Sequence, residues 1–530
     1  MPINRRSLFV LGTYSLCASA FGCGNSNTGG HSPQTLRLIG HDPSTLDPAH
    51  LRDTTAASYA CEIFAGLTRI GTNLLPTPDL ASGWTTSRDG LRYVFTLRRE
   101  AMFHDGTPLT AEDVIWSWTR SLAPATRSLS APAFLGHIAG ATEFAAGRAH
   151  SIPGLKILSP GQLEVTLQIP TSFFPSQIAV GPALIVNRGN VSSSSNWWRQ
   201  PNGSGPYQLE YWRPKHSLSL TRADTCGWRP KGPNQVRFDQ LDPAEGLLRY
   251  ETDSLDLTGV HGQDVDRFRD VHEPRNKQLI SIPDLAIRYI GFNVNTEPFD
   301  DINIRRALAH AVDRARIATV TLRQTHIPAS GLIPPGLTGH RRESRSRQFD
   351  PVSARQELAR SRYRVAAALP PITLVVPGDS LATEKLVEAV THTWQSELGI
   401  EMTVEIWGFD EMVSALDDPN HTIQTFLLGW SADIPDPYSF VDVLFRSTSS
   451  DNHSHFNDPY IDLLLDRAQA AATNSERSHH YSLAEDKIID EAIAVPLYFP
   501  VSHELVQPWV TGYRGRPLVR EWVTDIAIQD

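Results

Sequence analysis

Apolar and polar positions alternate with a period of two in several short stretches of the chain. Leu91, Tyr93, Phe95 and Leu97 point one way and mostly polar neighbours the other, which predicts a half-buried strand over 91–98. Leu163, Val165, Leu167 and Ile169 repeat the pattern. Further strands are expected at 36–39, 207–212, 217–222 and 288–294, and an apolar strand at 371–376. Elsewhere the period lengthens. Ile304, Ala307, Leu308, Ala311, Val312 and Ala315 sit at helical spacing behind Asp301 or Asn303 as cap. Residues 54–67 and 383–398 read as helices too. Thr110-Ala111-Glu112-Asp113 has a hydroxyl at the cap and an acid three residues on, so a helix should run from there through Trp118. Asp458-Pro459 predicts another, with Ile461, Leu464, Leu465 and Ala468 inward. A strand at 402–407 and a helix at 409–416 make this part of the chain alternate β and α. Asn202-Gly203-Ser204-Gly205-Pro206 marks a turn or hinge.

A chain of 530 residues exceeds one ordinary core, so two or three domains are expected. The 40% hydrophobic content argues against a disordered chain. The net charge of −10 argues against a general nucleic-acid binder but not against a small charged ligand. No run of about 18 apolar residues follows the first 30 positions, which excludes an internal membrane-spanning helix. Residues 1–22 read as a secretory signal: Arg5 and Arg6 start it, an apolar stretch follows, and Ala20-Phe21-Gly22 precedes Cys23. That ending resembles a bacterial lipobox, which would make Cys23 the lipidated first residue of the mature chain and residues 23–33 its tether. Asn4-Arg5-Arg6-Ser7-Leu8-Phe9 also resembles a twin-arginine signal. Beyond the signal only Cys61 and Cys226 remain; they could pair in an oxidising compartment or sit as two buried thiols.

Catalytic signatures are absent: no HExxH, no paired CxxC, no P-loop and no G-x-S-x-G. His453-Ser454-His455 and His479-His480 come nearest to metal clusters, but neither has an acidic ligand at a familiar spacing. They read as solvated or capping residues, and the basic run 341–347 as a solvated loop.

Eight segments in order resemble the family 5 extracytoplasmic solute-binding proteins, the receptors of oligopeptide, dipeptide and nickel ABC importers. They begin with Pro43-Ser44-Thr45-Leu46-Asp47-Pro48, Ile63-Phe64-Ala65-Gly66-Leu67 and Pro78-Asp79-Leu80-Ala81-Ser82-Gly83-Trp84. The most specific is Phe103-His104-Asp105-Gly106-Thr107-Pro108-Leu109-Thr110-Ala111-Glu112-Asp113-Val114. Then come Gly203-Ser204-Gly205-Pro206-Tyr207, Gly291-Phe292-Asn293 with Pro298-Phe299-Asp300-Asp301, and Arg305-Arg306-Ala307-Leu308 with Val312-Asp313-Arg314. The last is Gly429-Trp430-Ser431-Ala432-Asp433-Ile434-Pro435-Asp436-Pro437.

The resemblance implies an α/β fold of the periplasmic-binding-protein type, with mixed sheets and flanking helices, two lobes on a hinge and an extra inserted domain. It puts domain I at 34–74, 206–294 and 502–530, domain II at 75–205 and domain III at 295–501. It implies a non-enzymatic, monomeric receptor without cofactor or metal, partnered by an ABC permease and by the membrane through its lipid anchor. A receptor tolerant of side chains grips a peptide by its backbone and termini. A buried α-ammonium then needs a carboxylate, because an unpaired charge in a closed cleft is costly. In peptide-binding members that acid stands three residues after the Gly-Trp tryptophan, which is Asp433 here; Trp430 would form a flat wall beside Gly429, or pack in the core. Asp436 reads as a turn residue, and Asn293 and Arg305 as serving the junction of domains I and III. No cation is nominated for the ligand carboxylate. A nickel chelate, haem or sugar-derived solute is the alternative cargo, and an exported hydrolase the alternative class.

Overall fold

The computed structural model describes residues 34–530 except 52, 226, 344–346, 379–380, 419, 472, 519–521 and 530. The expected signal, Cys23, the tether and the Cys61–Cys226 pairing therefore lie outside the described residues. Cys61 itself is buried.

Three groups of strands build the molecule. Thr35–Gly40 runs parallel to Gln235–Gln240, which continues antiparallel into Ser217–Arg222 and Tyr207–Arg213. A three-stranded sheet of Leu257–Gly259, Val501–Val506 and Leu279–Pro283 completes this first body. The second body is the antiparallel sheet of Ala81–Thr86, Arg92–Leu97, Gln162–Thr166 and Leu155–Ser159. Trp118, Phe95, Phe174 and Leu135 fill its core. The third is a mixed six-stranded sheet in the order Ile327–Pro328, Ala494–Phe499, Ala286–Phe292, Thr425–Ser431, Thr373–Pro377, Thr403–Trp407. Helices Ile302–His310 and Leu381–Leu398 cover one face of it through Ile304, Leu308, Val390 and Trp394.

The first and third bodies exchange the chain twice, at Asp284–Leu285 and at Pro500. Pairing of Ala286–Phe292 with Thr425–Ser431 and Ala494–Phe499 puts that strand in the third body, so the crossing falls upstream of the expected 294/295 boundary. Asp284 N–H donates to Pro500 O at 3.0 Å, which ties the two crossings together, and Leu285 N–H donates to Pro517 O at 3.0 Å.

Local chemistry explains most elements. Thr110 and Asp113 form the expected capping box on the helix Ala111–Leu122. Asp53, Asp242, Asp301 and Asp458 each cap a helix with a carboxylate. The helix expected over 54–67 stops at Ile63, where Phe64 turns extended. The apolar stripe running on to Ala315 is split, because Asp313 accepts from Arg316 N–H at 2.9 Å and starts a new turn. The basic run is not simply solvated: Arg341 pairs with Glu485 and with Asp486.

The two glycine-rich signatures pack on one another. His104 N–H donates to Gly203 O at 2.8 Å, and the His104 ring meets Gly205 O and Gly203 N–H. A Cβ on Gly203 would stand 2.0 Å from Ile63 O, and one on Gly205 2.4 Å from Glu62 O, so only glycine lets the chain pass the end of the 54–63 helix.

Candidate functional site

Between the first and third bodies, with the second body at its mouth, lies a cavity of about 1340 Å³. Ordinary small-molecule clefts span ~300–1000 Å³, so this one has room for a ligand of several residues. Leu129 and Phe134 line it from the second body, and Phe409 and Val413 from the helix Phe409–Leu416.

All three residues of the expected site reach this cavity. Gly429 and Trp430 end the strand Thr425–Ser431, and Asp433 follows in the next loop. Opposite Gly429 stands Arg288, whose guanidinium would lie 2.9 Å from a Cβ at that position. Trp430 does both things considered for it. It lines the cavity and packs against the core, and its Nε1–H donates to Ser439 O at 2.6 Å. Asp433 presents its carboxyl to the cavity, where water reaches it, while protein crowds it on the other sides. That partial desolvation, helped by the nearby Asp451 carboxylate, pushes its pKa up to about 6. No described basic side chain pairs with it. The loop is pinned by Ala432 N–H to Leu285 O at 2.8 Å, beside the chain crossing.

Sequence reasoning missed the other acids of the wall. Asp451 is also raised by burial, which outweighs the opposing pull of the nearby His453. Asp284, at the crossing, is pushed up to about 6 by burial, with the Ser502 hydroxyl donating to it at 2.8 Å and Glu504 repelling. No local motif flags either residue; the fold alone brings them to the cavity. The remaining acids are engaged. Asp53 caps its helix, Glu62 accepts the N–H groups of Trp522 and Val523 at 2.8 and 3.1 Å, and Glu504 holds Tyr513 and Arg516.

Other expectations resolve elsewhere. Arg305 donates to Glu491 O and Phe299 O, and Asn293 N–H to Gln424 O, so both brace the third body and not its junction with the first. Asp436 does shape a turn, accepting from Tyr438 N–H at 2.9 Å, but it also pairs with Arg477. His455 meets His421, Nε2 to Nε2 at 2.8 Å, and no group of three or more metal-ligating side chains exists among the described residues. No described helix is long and apolar enough to cross a membrane.

Comparison with known proteins agrees with this architecture. The chain is 28% identical over 503 residues to the periplasmic oligopeptide-binding protein OppA of Escherichia coli, covering 91% of this chain and 90% of that one. It is 29% identical over 500 residues to the probable deoxycholate-binding periplasmic protein YgiS of the same organism, with 91% and 90% covered. The solved structure of the Escherichia coli murein tripeptide-binding protein MppA superposes with a TM-score of 0.78 at 25% identity, covering 94% of this chain and 99% of that one. The family model for the middle region of the bacterial extracellular solute-binding proteins, family 5, matches residues 76–452, and the chain belongs to that family.

Proposed function

We propose that the protein captures peptides for an ABC importer, holding the ligand α-ammonium on Asp433 and its chain along the Trp430 wall. One observation carries the reading: Asp433 faces a cavity of several-residue size with no basic side chain of the described protein to neutralise it. A ligand ammonium supplies the missing partner, and closure of the cleft strengthens the pair by excluding water. The sheets that meet at Asp284–Leu285 and Pro500 supply a two-strand hinge for closure, the usual motion of periplasmic binding proteins. The names of relatives that bind oligopeptides or murein tripeptide support a peptide cargo. The reading is a non-catalytic, monomeric receptor that hands its cargo to a permease and is held at the membrane through Cys23.

Native mass spectrometry of the mature chain, purified without refolding from a bacterial periplasm, tests this. A ladder of co-purifying peptide masses is the expected result. A single non-peptide mass, such as a bile-acid-like sterol or a metal chelate, would overturn the peptide cargo while leaving the receptor role intact.

A further inference from the structure

The second and third bodies have no direct chain connection. The chain leaves the second body into Tyr207–Arg213 of the first, and enters the third only at Leu285. A contact between them therefore forms or parts as the cleft closes or opens.

Such a contact exists, and Arg477 is its centre. This arginine is 6% exposed on the helix Asn474–Asp490 of the third body. Its Nη1–H donates to Ser172 Oγ of the second body at 2.5 Å, and its guanidinium lies 4.7 Å from the centre of the Phe173 ring. The same guanidinium pairs with Asp436. Phe173 in turn lies against Tyr438, ring centres 4.4 Å apart and planes 31° from parallel. His137 of the second body is the third ring, 5.8 Å from Phe173 and 6.1 Å from Tyr438.

Asp436 belongs to the loop that carries Asp433, and Tyr438 opens the helix Tyr438–Phe445 that follows it. Ser439 Oγ donates to Ile434 O at 3.0 Å and Trp430 Nε1–H to Ser439 O, so the loop moves as one piece with the ligand wall. We infer that Arg477, Phe173 and Tyr438 form a latch that couples the ligand-facing loop to the opposite lobe, so that cargo leaves only when the latch parts. Arg477 is a positioning residue in this scheme, acting on the ligand through the 434–438 loop. The inference rests on the cavity being the cargo site, whatever the cargo is. By reciprocity, a ligand that favours the closed cleft tightens the latch, and a tighter latch slows ligand release.

The test places spin labels, attached through p-acetylphenylalanine, at the exposed positions Lys156 and Tyr460 of the two bodies. Interlobe distances are measured without ligand and with a tripeptide library bearing free N-termini. Ser172→Ala with Phe173→Ala removes the second-body half of the latch. Arg477→Lys keeps a charge on Asp436 but loses the planar fork that reaches Ser172 as well. Both should deplete the short-distance population of the ligand-free chain about ten-fold and speed peptide release about ten-fold, with capture rate and melting temperature little changed. Asp433→Ala should abolish peptide binding and leave the ligand-free distances alone. Ligand-free distances unchanged in both latch variants, or a wild-type chain that never shows the short distance, would overturn the latch. Opened variants of a wild-type chain that binds no peptide would uphold the latch and remove the peptide reading.

Discussion

The two walls of the cleft carry acids of opposite kinds. On the wall of the first body, Asp53, Glu62 and Glu504 are each tied to protein groups: a helix N-terminus, two backbone N–H groups, a phenol and a guanidinium. On the third body, Asp433 faces the same space with no described basic partner, Asp451 has the imidazole of His453 nearby, and desolvation raises both. The first set was desolvated to build the fold. The second is left with a deficit that a cationic ligand can fill. An acid in a cavity is therefore informative only once its partners are counted.

The sharpest way to break this contrast is Asp433→Ala. Loss of one partner from a desolvated charge pair costs ~3–5 kcal/mol, so calorimetry with N-terminally free peptides should show affinity falling at least a hundred-fold while the melting temperature holds. Unchanged affinity in a folded variant would erase the distinction. The mirror experiment is Glu62→Ala, which orphans two backbone N–H groups. Denaturant unfolding should show a loss of about 2–3 kcal/mol, with peptide affinity of the folded fraction close to wild type.

Acidity sharpens the comparison further. With Asp433 raised to about 6, a bond that needs its ionised form should weaken about ten-fold per pH unit below about 6. The ligand-free protein should behave oppositely. Because the folded pKa lies above the unfolded value of 3.8, the unfolded chain releases its proton first, and stability declines as pH rises from about 4 through 6. Asp433→Asn should flatten both profiles, measured by titration of binding and of melting temperature. Asp284, also raised to about 6, would keep part of the stability slope in that variant. The smallest effect is expected at Gly429→Ala. Its Cβ would press on the long Arg288 side chain, 2.9 Å from Nη1 and 3.3 Å from Cδ, so stability should change by about 1 kcal/mol and affinity by only a few-fold.

Much of the architecture was legible because it is local. The capping box at Thr110, the Asp-Pro start at 458, and the alternation at Tyr93 and Phe95 each depend on residues a few positions apart, and each appears as expected. Asp433 was legible only through the Gly-Trp segment that precedes it. The helix over-extended to Ala315 failed because periodicity persists where a second aspartate restarts the cap. Asp284, Asp451 and the Arg477–Ser172 contact were invisible for another reason. Arg477 and Ser172 lie 305 positions apart, and no local spacing encodes a meeting across a cleft.

The double crossing at Asp284–Leu285 and Pro500 has an evolutionary and practical corollary. The strands leaving each crossing are neighbours in their sheets: Ala286–Phe292 beside Ala494–Phe499, and Leu279–Pro283 beside Val501–Val506. Paired strands run ~4.8 Å apart, so the third body hangs from its host by two adjacent threads. Topologically it is a cassette spliced into a loop, whose excision leaves termini close enough to rejoin. Recombination between relatives could exchange the wall that reads the cargo while leaving the hinge and the tied acids of the host in place.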